Sequence, residues 1–180
     1  MIIKAARASI GLLLIAPCAL LAQAVSTSAT PSPQPRDNAV QAMMMEWRTI
    51  ASNISKSAEL MPDSSYSYRP VATVMTFGEL LVHVSFTQYS TCASVMGVPT
   101  PADSARKQGA GKAELRRQFD ASVAFCVQAY QQNLAAMTDQ REQSRRYFGL
   151  VHNTAHINEH YGNMVTYLRM LGLVPPSSQR

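Results

Sequence analysis

Glycine is scarce in this chain, with only 8 residues in 180, and the sequence lacks the strand–turn–strand punctuation that is typical of β-sheet folds. Long stretches rich in Ala, Leu, Met, Gln, Glu and Arg stand in place of such turns, and these residue types favour helices. No internal repeat breaks the pattern. We therefore predict an all-α domain.

The motifs of several common enzyme classes are also missing. There is no G-x-S-x-G nucleophile elbow, no phosphate-binding loop and no CxxC pair, and the serine, histidine and acidic residues show no triad spacing. The arginine pairs at 116–117 and 145–146 have no aromatic residues interleaved to stack on bases. We predict no nucleic-acid partner, and the sequence motifs assign no reaction.

The first 24 residues form a predicted signal peptide. Lys4 and Arg7 supply a positive n-region, residues 10–21 are apolar, and Ala22-Gln23-Ala24 matches the small-x-small pattern before a cleavage site. The apolar run is short and is interrupted by Pro17, which argues against a membrane span. We expect a periplasmic or secreted protein that has no membrane association after cleavage.

Residues 25–36 are rich in Ser, Thr and Pro and predict a flexible linker, so the folded domain is expected over residues 37–180. Apolar residues then recur at helical spacing in four segments, which predicts a four-helix bundle. A long connection, residues 61–73, carries Tyr66, Tyr68 and Arg69, which we expect to fold over one end of the domain. The predicted helices run from Asp37 or Asn38 to about Leu60, from Thr76 to about Val95, from Lys112 to Met137, and from Asp139 or Ser144 to about Leu171.

Three of the four histidines lie on the last predicted helix, at His152, His156 and His160, and the fourth is His83 on the second helix. The spacing of i, i+4 and i+8 places them on one helix face. His152 and His160 are about 12 Å apart along the axis, so both cannot bind one ion. One i, i+4 pair together with His83 could bind a metal; the alternative is a set of exposed or hydrogen-bonded histidines.

Three segments resemble the DinB/YfiT-like superfamily. These are His83 early in the second helix, the run from His156 to Asn163 that reads HINEHYGN, and the ending G-L-V-P-P at residues 172–176. The resemblance covers about Asp37 to Ser178. It implies a four-helix bundle with an interior three-histidine site for a divalent metal ion, zinc or nickel above all, with His83, His156 and His160 as the ligands.

The resemblance also implies an activity, because characterised members of that superfamily include thiol-dependent transferases and isomerases. We therefore expect a metal-dependent hydrolase or group or thiol transferase that acts on a small molecule, with the metal as a Lewis acid. The alternative is a non-catalytic bundle that binds a metal or a small ligand. Asn163 and Tyr167 share the His160 face and are candidate pocket residues, as is His152, and a homodimer is a further expectation.

Cleavage of the leader would remove Cys18 and leave Cys92 and Cys126. An even number of cysteines in an oxidising compartment predicts a disulfide between them. We expect the second and third helices to be antiparallel neighbours, which would bring the two residues together. Two buried thiols are the alternative, and lipoprotein processing at Cys18 is disfavoured by Pro17 before it.

Overall fold

The computed structural model describes residues 37–102 and 109–179. Within these residues the chain forms four α-helices and no strand, which confirms the all-α prediction. The leader peptide and the linker predicted for residues 1–36 lie outside the described residues. No helix among the described residues is long and apolar enough to cross a membrane. The helices are α1 (Asn38–Leu60), α2 (Phe77–Met96), α3 (Lys112–Tyr130) and α4 (Gln140–Met170).

Polar caps start three of the helices at the positions that the sequence predicts. Asp37 accepts hydrogen bonds from the first-turn amides of α1, and Asp139 does the same for α4. Thr76 and Glu79 form a complete capping box at the start of α2. At the other end of α2, Gly97 adopts a left-handed conformation with φ 71°, which glycine tolerates without strain.

The third helix ends earlier than the predicted Met137. It stops at Tyr130, and a separate 3-10 turn covers Leu134–Ala136. The backbone of this turn is satisfied by side chains from other elements, since Gln143 donates to the carbonyl of Leu134 and Asp37 accepts from the amide of Ala135. These tertiary hydrogen bonds replace the helical hydrogen bonds that the backbone of residues 134–136 would have made if α3 had continued. The side chain of Leu134 is buried in this turn.

Contacts between the helices define their directions. Gly78 lies close to Leu115, and Cys92 is bonded to Cys126, so the chain runs the same way along α2 and α3. The antiparallel arrangement predicted for this pair is therefore wrong. Both helices are antiparallel to α1 and α4, and a long connection across residues 97–111 carries the chain from the end of α2 back to the start of α3.

The predicted disulfide is present despite that error. Cys92 and Cys126 are joined, with their Cα atoms 5.3 Å apart, and both residues are fully buried. They lie at corresponding levels of two parallel helices, about four-fifths of the way along each one. The bond therefore crosslinks α2 and α3 directly, and the loop that it closes contains the long connection.

Aromatic stacking and buried hydrogen bonds fill the centre of the bundle. The ring of Trp47 stacks on that of Tyr130 with centroids 4.6 Å apart, and its indole nitrogen donates to Gln88, which in turn donates to Ser122. These polar groups satisfy one another, so their burial is not a net penalty. In the run of methionines on α1, Met44 faces the core.

Candidate metal centre

Three imidazoles meet between α2 and α4. His83 comes from the second turn of α2, while His156 and His160 lie one turn apart on α4. The Nε2 atom of His156 lies 3.0 Å from Nε2 of His83 and 3.1 Å from Nε2 of His160. All three ligand atoms lie within 4.8 Å of one another, and the structure thus brings together the triad named from the sequence.

His152 is not part of this cluster. Its side chain is exposed and its ring lies parallel to that of Phe148, with centroids 5.8 Å apart. The ring is 5.9 Å from that of His156, one turn further along α4, on the side away from His160. Of the two i, i+4 pairs that the spacing allowed, the structure therefore joins His156 and His160 to His83.

Burial favours the neutral form of the two clustered histidines on α4. Desolvation, reinforced by the positive charge that its histidine neighbours would carry, lowers the pKa of His156 from 6.5 to about 4. Burial also lowers the pKa of His160, against a smaller opposing effect of Glu159. At neutral pH both rings are therefore uncharged, which is the form of imidazole that binds metal ions.

The donor set fits a divalent ion. In a tetrahedral zinc site with bonds of about 2.0–2.1 Å, the nitrogens are separated by roughly 3.3 Å, close to the distances observed between His156 and its two neighbours. Among the described residues, the buried Nδ1 atom of His156 has no hydrogen-bond partner. That atom lies on the far side of the ring from the converging Nε2 atoms, so the case for a metal rests on those three Nε2 atoms, whose lone pairs a shared cation would engage.

The connection between α1 and α2 folds over this end of the bundle, as its aromatic residues predicted. The hydroxyl of Tyr66 donates to the carbonyl of Ala58, and Tyr68 packs edge-on against Tyr167. Tyr167 also donates to the carbonyl of Met75, 2.8 Å away, which ties the segment just before α2 to α4.

Two cavities are lined by residues 73–75, and each also has a different histidine of the cluster in its lining. One, of about 300 Å³, contains His83, Glu79 and Arg69 in its lining. The other, of about 380 Å³, contains His160 together with Asn163 and Tyr167. Asn163 and Tyr167, two of the candidate pocket residues, therefore line the same cavity as His160. His152 instead lines a separate groove with Phe148 and Arg145.

The acidic residues near the histidines have other contacts. Glu79 accepts a hydrogen bond of 2.7 Å from the amide of Thr76, so its capping role is the one observed. The side chain of Glu159 is exposed. Gly162 has open space around it: a methyl group placed there would meet nothing within 4 Å. Within residues 37–102 and 109–179, no backbone makes a close approach to that glycine.

Sequence reasoning missed part of the cavity lining. Val74 and Met75 line both cavities, and Val82 lies beside His83 in the first. They belong to an irregular segment and to the second turn of α2, where apolar periodicity carries no information about a pocket. Pro70, six residues before the Thr76 cap of α2, is a local indication that the chain turns here.

An all-α bundle with a three-histidine cluster between two of its helices is a known architecture for metal-binding proteins. A family model described as the DinB superfamily matches residues 46–164, a range that contains all three clustered histidines. The chain belongs to the DinB superfamily. A search of the curated proteins found no match.

Proposed function

We propose that this chain binds one divalent metal ion through the Nε2 atoms of His83, His156 and His160, and that it acts on a small-molecule substrate beside that ion. The convergence of three imidazoles from two helices is the observation that carries the proposal. Imidazole ligands suit zinc and nickel among the common divalent ions. When bound, such an ion would supply Lewis acidity beside the cavities that His83 and His160 line.

The protein's own contribution is to hold the ligands still. His156 and His160 lie on successive turns of a 31-residue helix. His83 lies on α2, and the hydrogen bond from Tyr167 to the carbonyl of Met75 links the segment just before α2 to α4. Three protein ligands leave further coordination positions for other molecules, a pattern typical of catalytic rather than structural sites. The two cavities provide access from opposite sides of the segment 73–75.

Asn163 is a candidate to orient His160. Its side-chain amide lies 3.5 Å from Nδ1 of His160. If Nε2 of that ring binds the ion, Nδ1 carries the proton, and a rotated amide presents its oxygen as the acceptor. Such hydrogen bonds from a second residue fix the tautomer and the ring plane of a metal-bound histidine.

A hydrolysis or a group transfer is the reaction class that we propose. A non-catalytic metal-binding bundle is the second candidate, and one observation favours it. The carboxylate of Glu79 lines the cavity beside His83 but is bound to the Thr76 amide, while Glu159 is exposed, so neither is held ready as a general base.

The test begins with metal-free protein that is reconstituted with zinc, nickel or manganese, followed by elemental analysis. We expect one ion per chain. The loaded protein is then assayed against activated esters, amides and thiol-conjugation substrates, with chelator and metal re-addition as the control. Turnover that the chelator abolishes and the metal restores supports the enzyme. Stoichiometric binding that raises the melting temperature without turnover supports the binder, and a failure to bind any of the ions contradicts both.

Export from the cytoplasm remains part of the proposal. The leader predicted for residues 1–24 supports it, and so does the disulfide between Cys92 and Cys126, because such bonds persist mainly in oxidising compartments. Determination of the mature N-terminus after expression in a Gram-negative host tests it, with cleavage expected after Ala24. An intact N-terminus in the cytoplasmic fraction would contradict it.

A further inference from the structure

The cavity beside His83 is lined by a positively charged side chain, that of Arg69, which has no role in the proposed metal site. Arg69 lines this cavity of about 300 Å³ together with His83 and Glu79. The volume is at the lower end of the range for small-molecule sites, so only a small molecule or one end of a larger one fits. The cavity on the other side of the segment 73–75 has no arginine in its lining.

Arg69 is an exposed residue whose guanidinium is held by backbone carbonyls, and it interacts electrostatically with Glu79, which lines the same cavity. Its Nη1 atom donates to the carbonyls of Ala72 and Val74 at 3.5 and 3.4 Å. Both are long hydrogen bonds to uncharged acceptors, and they position the guanidinium against the chain that forms the cavity wall. A guanidinium offers five donors in a planar fork that matches a carboxylate, so this contact does not exhaust its capacity.

The charge balance of the cavity favours an anion. Arg69 carries one positive charge and Glu79 one negative charge, and the carboxylate of Glu79 is bound to the amide of Thr76 at 2.7 Å. A divalent ion on the Nε2 atoms of the three histidines would add two positive charges beside this cavity, whose lining contains His83. A ligand anion there would face two separate sources of positive potential.

We propose that Arg69 forms an anion subsite that binds the carboxylate of a small organic acid, placing the acid beside His83 and the metal. This inference rests on the proposed metal site. It narrows the substrate class to carboxylates and makes Arg69 a specificity-determining residue. The subsite affects only how the molecule is bound and oriented, so the proposed reaction class, hydrolysis or group transfer, is unchanged.

The test uses the full-length mature protein loaded with cobalt(II), whose visible absorption reports on ligands close to the metal. Propionate and its neutral analogue propionamide are titrated into the parent and into the variants Arg69→Gln and Arg69→Lys. Arg141→Gln is the matched control, because Arg141 is an exposed arginine on the first turn of α4, about 22 Å along the axis from His156. Circular dichroism and cobalt content are recorded for each protein.

We expect the parent to bind propionate more tightly than propionamide. Arg69→Gln should weaken propionate binding about tenfold or more, as expected for a charge-assisted hydrogen bond, and should leave propionamide binding unchanged. Arg69→Lys should lie between the two because it keeps the charge but loses the planar fork. Arg141→Gln should match the parent.

Two results would overturn the inference while leaving the metal proposal intact. One is a cobalt-loaded Arg69→Gln protein that binds propionate as the parent does, and the other is a cobalt-loaded parent that does not distinguish propionate from propionamide. A parent that takes up no cobalt contradicts the metal site and the anion subsite together. Arg69→Lys keeps the test decisive if Arg69→Gln proves unfolded.

Discussion

Two polar clusters at opposite ends of the bundle differ in how completely the protein satisfies them. Asp37, at the start of α1, accepts hydrogen bonds from the amides of Ala39, Val40 and Ala135 and from the hydroxyl of Tyr147. The histidine cluster at the other end has three converging nitrogens, and the buried Nδ1 atom of His156 has no partner among the described residues.

The pKa values of Asp37 and His156 differ in the same way between the two clusters. Burial raises the pKa of Asp37, but the hydrogen bonds from Tyr147 and the backbone outweigh it, so the pKa is lowered overall and the charged form is favoured. At the histidine cluster, burial and mutual repulsion favour the uncharged form of His156. The protein thus supplies hydrogen-bond partners that favour the charged form of Asp37, whereas the histidine cluster favours the neutral rings that the proposed metal site needs.

The largest expected effect is the loss of metal from the histidine cluster. Replacing His83, His156 or His160 singly by Ala should abolish measurable metal occupancy, because two imidazoles remain where three are needed. His152→Ala should keep one ion per chain and is the matched control. Elemental analysis of the four reconstituted variants is the measurement. If His152→Ala loses the ion while His160→Ala retains it, the triad is wrong by one helical turn.

Removal of the Asp37 carboxylate should cost stability rather than metal. Asp37→Ala loses a helix cap and leaves buried donors unpaired, so we expect a loss of about 2–3 kcal/mol in the free energy of unfolding. Asp139→Ala removes the same kind of cap at an exposed position and should cost only about 1 kcal/mol. Urea denaturation of metal-free protein measures both. Equal losses would show that the Asp37 cluster adds nothing beyond capping.

A smaller effect is expected at Asn163, whose proposed role is to orient His160. Asn163→Ala should weaken metal affinity about tenfold, because a hydrogen bond from a neighbouring residue to a metal-bound histidine is lost. Asn163→Asp should restore or increase the affinity, since a carboxylate is a stronger acceptor for the Nδ1 proton. Competition with a chromophoric chelator gives the affinities. Equal affinity in the parent and both variants would remove Asn163 from the site.

The smallest effect is a pH dependence that separates the two clusters. The pKa of His156 is lowered from 6.5 to about 4, so between these values the unfolded chain binds more protons than the folded protein. Metal-free stability should therefore fall as the pH is lowered through this window. The stability from Asp37 is present above its unfolded pKa near 3.8 and is lost only at lower pH, as the pH falls through the lowered folded value.

His156→Leu provides the comparison, because it removes the titrating ring. Urea midpoints of the metal-free parent and variant at pH 7, 5.5 and 4.5 should show a shallower decline in the variant. The variant should also be at least as stable as the metal-free parent at pH 7, since a buried, unpaired ring nitrogen is gone. Parallel declines in the two proteins would mean that another group controls stability in this range.

Much of the local structure was predictable because it depends on neighbouring residues. Thr76 and Glu79 mark the start of α2, Asp139 marks that of α4, and their caps require only residues three apart. The end of α3 could not be predicted in this way. Leu134 continues the helical pattern, but hydrogen bonds from Gln143 and to Asp37 hold its backbone in a separate turn.

In the candidate site, too, the features that depend on neighbouring residues were predictable, and those that depend on helix packing were not. The spacing of four residues between His156 and His160 is a property of the sequence, and a helix of that length necessarily places both on one face. The choice of His160 over His152, and the addition of His83 from a position 73 residues away from His156, depended on how α2 packs against α4. Arg69 reaches the cavity only because the preceding connection folds back over the bundle.

The disulfide shows which features followed from the sequence and which followed from the tertiary structure. The count and placement of Cys92 and Cys126 predicted the bond, yet the expected reason was wrong, since α2 and α3 are parallel. Helical periodicity and capping are local, so the sequence by itself determined four amphipathic helices and the residues available to bind a metal. The direction of each helix, the register between them and the cavities at their ends depend on burying all four apolar faces at once, which only the tertiary structure decides.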